Sequence, residues 1–435
     1  MKANGSVLVI GGGIAGMQAS LDLANRGLKV YLVEKTPSIG GRMAQLDKTF
    51  PTMDCSICIL APKMIECLRH PNITLLTYSE VESVKGSTGN FRVKVLKKPR
   101  FIDEQKCTGC GECAQYCPTE VQNEFDMNLG IRKAIYIPFP QAVPLKYTID
   151  EENCIKCGLC QKICKAGAVD FKQKPETVNL KVGAIIVATG FELFDASRIS
   201  EYGYGKYRDV VTSLEFERLL SASGPIGGHL LRLSDGRVPR RIAFIQCVGS
   251  RSLKGGVHFC SSSCCVYATK EAILVREHCP ECEVYIFYNE LKVFGKGFQD
   301  FVKRAQNEWG VKYIRALPGE VVEDPKTHSL IIWYEDTKEN TTKNTEADLV
   351  VLCPALVPRI TNKELAGTLG LELDEYGFFK PRDVLYTPVD TNVPGIFICG
   401  YCQGPKDIPE SVAQASGAAA RAAEVMALSA SGGVH

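Results

Sequence analysis

Two runs of cysteine set the chemistry open to this chain. CTGCGECAQYCP places Cys107, Cys110, Cys113 and Cys117 in C-x2-C-x2-C-x3-C spacing, and CIKCGLCQKICK repeats it with Cys154, Cys157, Cys160 and Cys164. Thiolates are soft donors, and four within eleven residues, twice over, suit a cuboidal 4Fe-4S cluster. The competing reading is a pair of all-cysteine zinc tetrahedra, which such crowding disfavours. A looser group follows: Cys247 lies in RRIAFIQCVGSR, and HFCSSSCCVYATKEA adds Cys260, Cys264 and Cys265. That spacing suggests a metal site without naming the metal.

The paired runs are similar to a bacterial two-cluster ferredoxin, in which the fourth cysteine of each run ligates the other cluster. Cys107, Cys110, Cys113 and Cys164 are therefore assigned to one cluster, and Cys154, Cys157, Cys160 and Cys117 to the other. Lys165 replaces the proline that often follows the last cysteine and leaves all eight ligands intact. The 36 residues from 118 to 153 exceed a minimal ferredoxin spacing; they read as a partner-facing hairpin or lobe, or as a long loop.

The second signature is a loop nearly without side chains. Residues 6–10 (SVLVI) read as a buried strand, Gly11, Gly13 and Gly16 follow in G-x-G-x-x-G spacing, and AGMQASLDLANRG reads as a helix. Glycines permit a tight turn and close backbone approach, so a pyrophosphate can rest on the helix N-terminus among unpaired N–H groups. The next strand, KVYLVEK, delivers Glu34, followed by Lys35, where an acid can bond a ribose hydroxyl. Alone, the glycines mark a tight turn as readily as a ligand site. Strand, glycines, helix, strand and acid in this order point to a dinucleotide.

Gly40, Gly41 and Arg42 then follow as in two-dinucleotide-binding-domain flavoproteins of the thioredoxin reductase type, a resemblance that favours FAD over NAD. VGAIIVATG, ending at Gly190, resembles the strand and turn closing the first FAD segment. TNVPGIFICGYCQGPKDIPESVAQASGAAARAAEVM resembles the C-terminal FAD segment, with a strand ending in Gly400 and a helix beginning near Pro409. In such proteins that helix points its positive end at the flavin pyrimidine and favours an anionic reduced flavin. Tyr401 stands where an aspartate usually contacts the ribityl chain, and Asp407 is its nearest substitute.

These features predict an α/β fold with two Rossmann-like domains and an inserted two-cluster ferredoxin. The FAD-binding domain is assigned residues 1–98, 176–236 (with a linker) and 360–435, the insert 99–175, and a module resembling an NAD domain 237–359. In pyridine-nucleotide disulfide reductases that module opens with its own glycine-rich turn. Here Gly249 stands alone and Cys247 occupies the turn, so direct NAD(P)H binding is not expected.

The bulk of the sequence removes other classes. With 435 residues, 45% hydrophobic and 23% charged, the chain is long enough for several cores. A net charge of +2 without a long basic run gives no reason to expect nucleic acid. No apolar run approaches the roughly eighteen residues needed to span a bilayer, and no signal peptide is evident. The expected setting is the cytoplasm without direct membrane insertion. Its reducing chemistry favours metal ligation over disulfides for twenty cysteines grouped in tight spacings.

IQCVGSR, the C-x3-CC-x-YA-x-K run, NELKVFGKGFQDF, DCSICILAPKM and GPKDIPESVAQASG together resemble the family of heterodisulfide reductase A-type subunits over nearly the whole chain. The resemblance implies one FAD and three 4Fe-4S clusters, the third a nonstandard cluster on Cys247, Cys260, Cys264 and Cys265 beside the flavin. It places Lys270 within reach of the isoalloxazine ring, against the alternative of a solvated helical lysine. It also implies an electron-bifurcating or electron-distributing role, with the chain forming a homodimer within its complex. Its partners would be B- and C-type subunits, an electron-input hydrogenase or dehydrogenase, and ferredoxin. The cluster domains added at both ends of longer members are not expected here. The alternatives are the A-type component of a quinone-interacting membrane-bound oxidoreductase, a stand-alone NAD(P)H-dependent disulfide reductase using Cys55 and Cys58, and a ferredoxin-like relay with a structural flavin. Cys55 and Cys58 read as a redox disulfide, a ligand pair or a packed apolar pair; Cys67, Cys279, Cys282, Cys353, Cys399 and Cys402 read as packed or loop residues.

Overall fold

Short runs of valine, isoleucine and leucine, buried on both faces, make the framework. The computed structural model describes residues 5–253 and 255–430. In chain order the elements that matter to the site are β1 (Ser6–Ile10), α1 (Ile14–Asn25), β2 (Lys29–Glu34), β3 (Ile73–Thr77), β4 (Ala184–Val187), β5 (Val210–Thr212) and β6 (Arg241–Val248). After them come α2 (Cys264–His278), β7 (Glu283–Tyr288), β8 (Lys312–Arg315), β9 (Leu349–Pro354), β10 (Ile396–Ile398) and α3 (Ile408–Ala430). They fall into two compact units. The first takes the chain up to Ala44, Ile57–Phe191 and everything from Pro358; the second takes Gln45–Ser56 and Glu192–Val357.

In the first unit a parallel sheet runs β10-β4-β1-β2-β3. Val7, Val9, Ile186 and Leu32 have no exposure, the continuous apolar pattern of strands covered on both faces. α1 packs on α3, where Ala415, Ala418, Ala419 and Ala422 are fully buried and short enough to let the two helices close. Parallel alignment puts the carboxyl ends of β1, β2, β4 and β10 on one sheet edge, the place where open α/β sheets take ligands.

The cysteine-rich insert leaves the strand Phe91–Lys97 and returns through Glu176–Val182, its antiparallel neighbour. Arg100, 1% exposed, fixes the insert at its root. Its guanidinium donates to Pro37 O and Thr77 Oγ1, both at 2.6 Å, on the flavin-domain side, and to Thr148 Oγ1 at 2.7 Å inside the insert. Glu104 supplies the counter-charge 3.1 Å from Nε. The long segment 118–153 is not a loose loop: it carries a hairpin in which Glu120–Gln122 pairs with Ile131–Lys133. Phe139, Ala142 and Val143 enter the core beside Ile39, Met43 and Met64, and Ile39 N donates to Val143 O at 3.0 Å.

The second unit has a parallel sheet β5-β9-β6-β7-β8 and an antiparallel sheet of Pro318–Glu323, Leu330–Asp336 and Thr341–Ala347. Two stretches assigned to the flavin domain from sequence fold here instead. Residues 192–236 do so because β5 pairs with β9 at Val210 and Val350. Residues 45–56 do so because Glu217 Oε2 accepts from Asp47 N at 2.9 Å and Arg218 donates to Gln45 O at 3.3 Å. Neither long-range contact has a local pattern to announce it.

Removing the buried Arg100 guanidinium strands acceptors on both sides of the root. Arg100→Ala is expected to lower unfolding free energy by roughly 3 kcal/mol. Limited proteolysis should then cut first near residues 98 and 175, while a surface control, Lys172→Ala, leaves the cleavage rate unchanged.

Candidate redox centre

At the sheet edge of the first unit, each loop glycine has a separate reason. Gly11 has φ +111°, and a Cβ there would lie 2.3 Å from Ala188 O. A Cβ at Gly16 would lie 1.8 Å from Gly11 O, so this glycine lets α1 meet the strand turn. Gly13 differs: it precedes α1 with φ −77°, and nothing lies within 4 Å of its would-be Cβ. This space beside the N-terminus of α1 is the fit expected of a pyrophosphate cradle. Gly41, at φ +58°, brings the following loop to within 2.9 Å of Gly13 Cα, measured from an added Cβ. Gly190 has φ +74° and open space on its Cβ side. Gly400 has φ +72°, and its would-be Cβ lies 2.9 Å from Ala15 Cβ on α1.

The polar residues are more committed than the sequence suggests. Glu34 ties the glycine turn to its own strand: Oε2 accepts from Gly12 N at 2.7 Å, and Oε1 from Thr36 N at 2.8 Å. Oε1 also accepts from Thr36 Oγ1 at 2.9 Å, so Oε2 keeps the second lone pair with which a ribose hydroxyl could bond. Lys35 is exposed. Arg42 reaches Met127 Sδ in the insert at 3.8 Å. Asp407, offered above as a ribityl contact, caps α3. Its Oδ1 accepts from Glu410 N at 2.8 Å, and its N–H donates to Glu410 Oε2 at 2.9 Å. The helix accordingly begins at Ile408.

The two cysteine runs fold as copies of one another. Cys107 N and Cys154 N each donate to the carbonyl four residues back, Asp103 O and Asp150 O, at 2.9 Å. Gly111 and Gly158, at φ +87° and +76°, precede the short helices Glu112–Gln115 and Leu159–Ile163. Lys156 takes φ +55° where the first copy has Gly109 at +75°. The Cys113 thiol is pushed up to about 12 by burial and then by Cys107, Cys110 and Cys160. Cys160 is pushed to about 11 by burial, with Cys154, Cys157 and Cys117 adding to it. Cys117 from the first run thus stands in the field of the second run. Among the described residues, no three Cys, His, Asp or Glu side chains converge as a single-ion site. Cys164 Sγ accepts from Ala168 N at 3.3 Å, the kind of N–H···S bond that stabilises a ligating thiolate.

In the second unit, Cys247 lies where the register of β6 slips between Ile245 and Val248, and it adopts φ +61°. Cys264 and Cys265 open α2. The four thiols share one field. Burial and then Cys265, Cys247 and Cys260 push Cys264 well up, apart from a Tyr267 hydrogen bond pulling down. Cys265 is pushed to about 11, mainly by burial. Burial also raises Cys247, while Arg251 pulls it back. Ser262 N donates to Cys260 Sγ and Lys292 N to Cys265 Sγ, both at 3.4 Å. Cys353, set aside in the sequence, is wholly buried in the same field, beside Glu271, Cys264, Cys247 and Cys265. Gly249 packs on an aromatic ring: a Cβ there would lie 2.4 Å from Phe194.

Lys270 is 1% exposed, which overturns the solvated alternative. Its ammonium bonds the buried Glu217 carboxylate. The adjoining Glu271 carboxyl is held well above its usual range by burial and then by Glu217. Cys55 and Cys58 are disulfide-bonded at the start of the helix Ser56–Arg69.

Comparison with known proteins places these features in a family. The FAD dependent oxidoreductase family matches residues 6–56, and the 4Fe-4S binding domain matches residues 100–122 and 147–170. The iron-sulfur A-type subunit of the CoB–CoM heterodisulfide reductase of Methanocaldococcus jannaschii is 56% identical over 98% of this chain and 65% of its own length. The A-type subunit of the H2/formate:CoB–CoM heterodisulfide, ferredoxin reductase of Methanococcus maripaludis is 55% identical over 96% of this chain and 64% of its own. The chain therefore spans a little under two thirds of these relatives. In fold it is similar to the thioredoxin reductase of Lactococcus lactis, with TM-score 0.54 at 17% identity over 97% of this chain and 99% of that one. No helix among the described residues is long and apolar enough to cross a membrane.

The open side of Gly13 separates folding from cofactor binding. Gly13→Ala is expected to keep the unfolding free energy of the FAD-free chain within about 1 kcal/mol and to weaken FAD binding roughly tenfold or more, read by fluorescence titration. Gly16→Ala should instead destabilise the FAD-free chain itself.

Proposed function

The chain belongs to the family of heterodisulfide reductase iron-sulfur subunits of the A type over the part of them that it spans, and from that premise we propose that it passes electrons between FAD and iron-sulfur clusters inside a multi-subunit oxidoreductase. One observation carries the reading. The insert bearing eight cluster-type cysteines is packed onto the flavin-binding loop, with Phe139 3.4 Å from a would-be Cβ at Gly40. Arg42 touches Met127 of the insert in the same unit.

In this reading Gly11, Gly13, Gly16, Glu34, Lys35, Gly41, Arg42, Gly190 and Gly400 hold FAD. Cys107, Cys110, Cys113 and Cys164 hold one cluster, Cys154, Cys157, Cys160 and Cys117 a second, and Cys247, Cys260, Cys264 and Cys265 a third. FAD would exchange electrons either in pairs or one at a time and the clusters only singly, which is the chemistry these groups would supply. The protein's own part is to hold thiolates out of water, direct N–H groups at their sulfurs and keep each cradle in a fixed shape. Lys270, on the helix that starts with Cys264 and Cys265, forms a neutralised pair with Glu217 of the helix Ser213–Leu220. Phe194 against Gly249 supports a role without direct NAD(P)H. Electrons would then enter and leave through partner subunits of a cytoplasmic heterodisulfide reductase complex, with ferredoxin as one acceptor or donor. Bifurcation belongs to this proposal.

Anaerobically purified protein should contain one FAD and about twelve iron atoms per chain. Cys265→Ala should retain FAD and fall to about eight iron, with both ferredoxin-type signals intact by low-temperature EPR. NADH and NADPH should leave the flavin absorbance of the isolated chain unchanged. About eight iron in the fully loaded wild type, or prompt bleaching by either nucleotide, would sink the corresponding part of the proposal.

A further inference from the structure

Between the carboxyl end of β10 and the start of α3 the chain carries Gln403-Gly404-Pro405-Lys406-Asp407. Lys406 is half-buried. Its ammonium donates to two neutral acceptors, Gln403 Oε1 at 2.5 Å and Gly404 O at 3.4 Å, and among the described residues it makes no ion pair. Gln403 is held in turn by Gln414 Nε2 at 3.0 Å, and Gln414 Oε1 accepts from Gly400 N at 2.8 Å. The amine is thus aimed by a chain of amides that ends on the glycine of the sheet edge.

For folding alone the placement is poor in three ways. A cation precedes the positive end of a 23-residue helix. It is partly desolvated, and burial pulls its pKa below the usual lysine range. The nearby acids give it no direct pair, because Asp407 and Glu410 bond one another's backbone N–H groups. A negative charge arriving at this edge would offset all three costs. Local rules broken without a structural gain mark functional positions.

FAD brings negative charge in two places, its pyrophosphate and, on reduction, its isoalloxazine ring. The open space at Gly13 beside α1 suits the first. We infer that Lys406 is a positioning residue for the second: aimed by Gln403, it stabilises the negative charge that the flavin gains on reduction and so raises the flavin potential. This rests on the flavoprotein reading proposed above.

The test compares the flavin midpoint potential of holo wild type, Lys406→Met and Lys406→Arg by dye equilibration. FAD content, iron content and thermal midpoint are measured alongside. Lys406→Met should keep FAD and iron and hold or slightly raise the thermal midpoint. It should weaken reduced FAD at least tenfold relative to oxidised FAD, a drop of about 30 mV for a two-electron couple. Lys406→Arg should restore most of the potential. An unchanged potential in Lys406→Met would overturn the inference. So would equal weakening of oxidised and reduced FAD, which would place Lys406 at the pyrophosphate. If Lys406→Met fails to hold FAD, Lys406→Gln carries the same comparison. Wild type without FAD would overturn the flavoprotein reading itself, and this inference with it.

Discussion

The buried Arg100 guanidinium is the contact on which the rest of the first unit depends. An insert of some eighty residues between two antiparallel strands would, with only its two ends tied, swing about them. Arg100 converts the root into a fixed joint by bonding Pro37 and Thr77 on one side and Thr148 on the other. Burying a guanidinium is costly unless its donors are satisfied and its charge is met; here three hydrogen bonds take up the two terminal nitrogens and Glu104 meets the charge, while Nε itself makes no hydrogen bond. Ser38 extends the joint, with Val143 N donating to Ser38 Oγ at 2.8 Å. Single-electron transfer, as proposed for this chain, would need its centres at fixed separations. The joint places the insert against the Gly40–Arg42 loop rather than on a tether.

A second constraint comes from the thiols. Cys113, Cys160, Cys264 and Cys265 are all buried beside other cysteines, so a free thiolate there would be desolvated and repelled by its neighbours. Iron bound there would remove both penalties by taking up the charge, and metal loading would then be coupled to folding in these segments. The N–H groups of Ala168, Ser262 and Lys292 already point at Cys164, Cys260 and Cys265. Such N–H···S contacts are the backbone geometry that a charged sulfur would need. Cys247 at positive φ within a strand irregularity is the same arrangement in covalent form, since an ordinary β residue would aim its side chain elsewhere.

What could be read in the sequence was what is local. The G-x-G-x-x-G turn and the two cysteine runs carry their chemistry in spacings of two to four residues, and their elements formed where the pattern put them. The unreadable parts depend on residues far apart in the chain. Gln45–Ser56 joins the second unit through Glu217 and Arg218. Segment 118–153 became a docking face because Phe139, stacked on Phe125 at 4.7 Å, fills a hollow of the flavin-domain core. Lys270 and Glu217 meet across 53 positions. Asp407 illustrates a different limit: its offset from Glu410 is that of a capping box, and its Oδ1 is used as one.

Asp407 and Lys406 also show how capping and binding can be told apart at one helix end. An acid before a helix is good for the helix whether or not anything binds there, because it satisfies orphan N–H groups and opposes the dipole. Its presence therefore says little about a ligand. A lysine at the same end gains nothing from the helix and loses hydration, so its presence needs a charge that the chain does not itself provide. The same logic separates the glycines. Gly16 is required by Gly11 O, only 1.8 Å from its would-be Cβ, and would be required in a protein that bound nothing. Gly13, ahead of the same helix with ordinary φ and empty space beside it, has no such internal reason to be glycine. The positions that the fold does not explain are the ones that lie along the sheet edge, at the N-termini of α1 and α3.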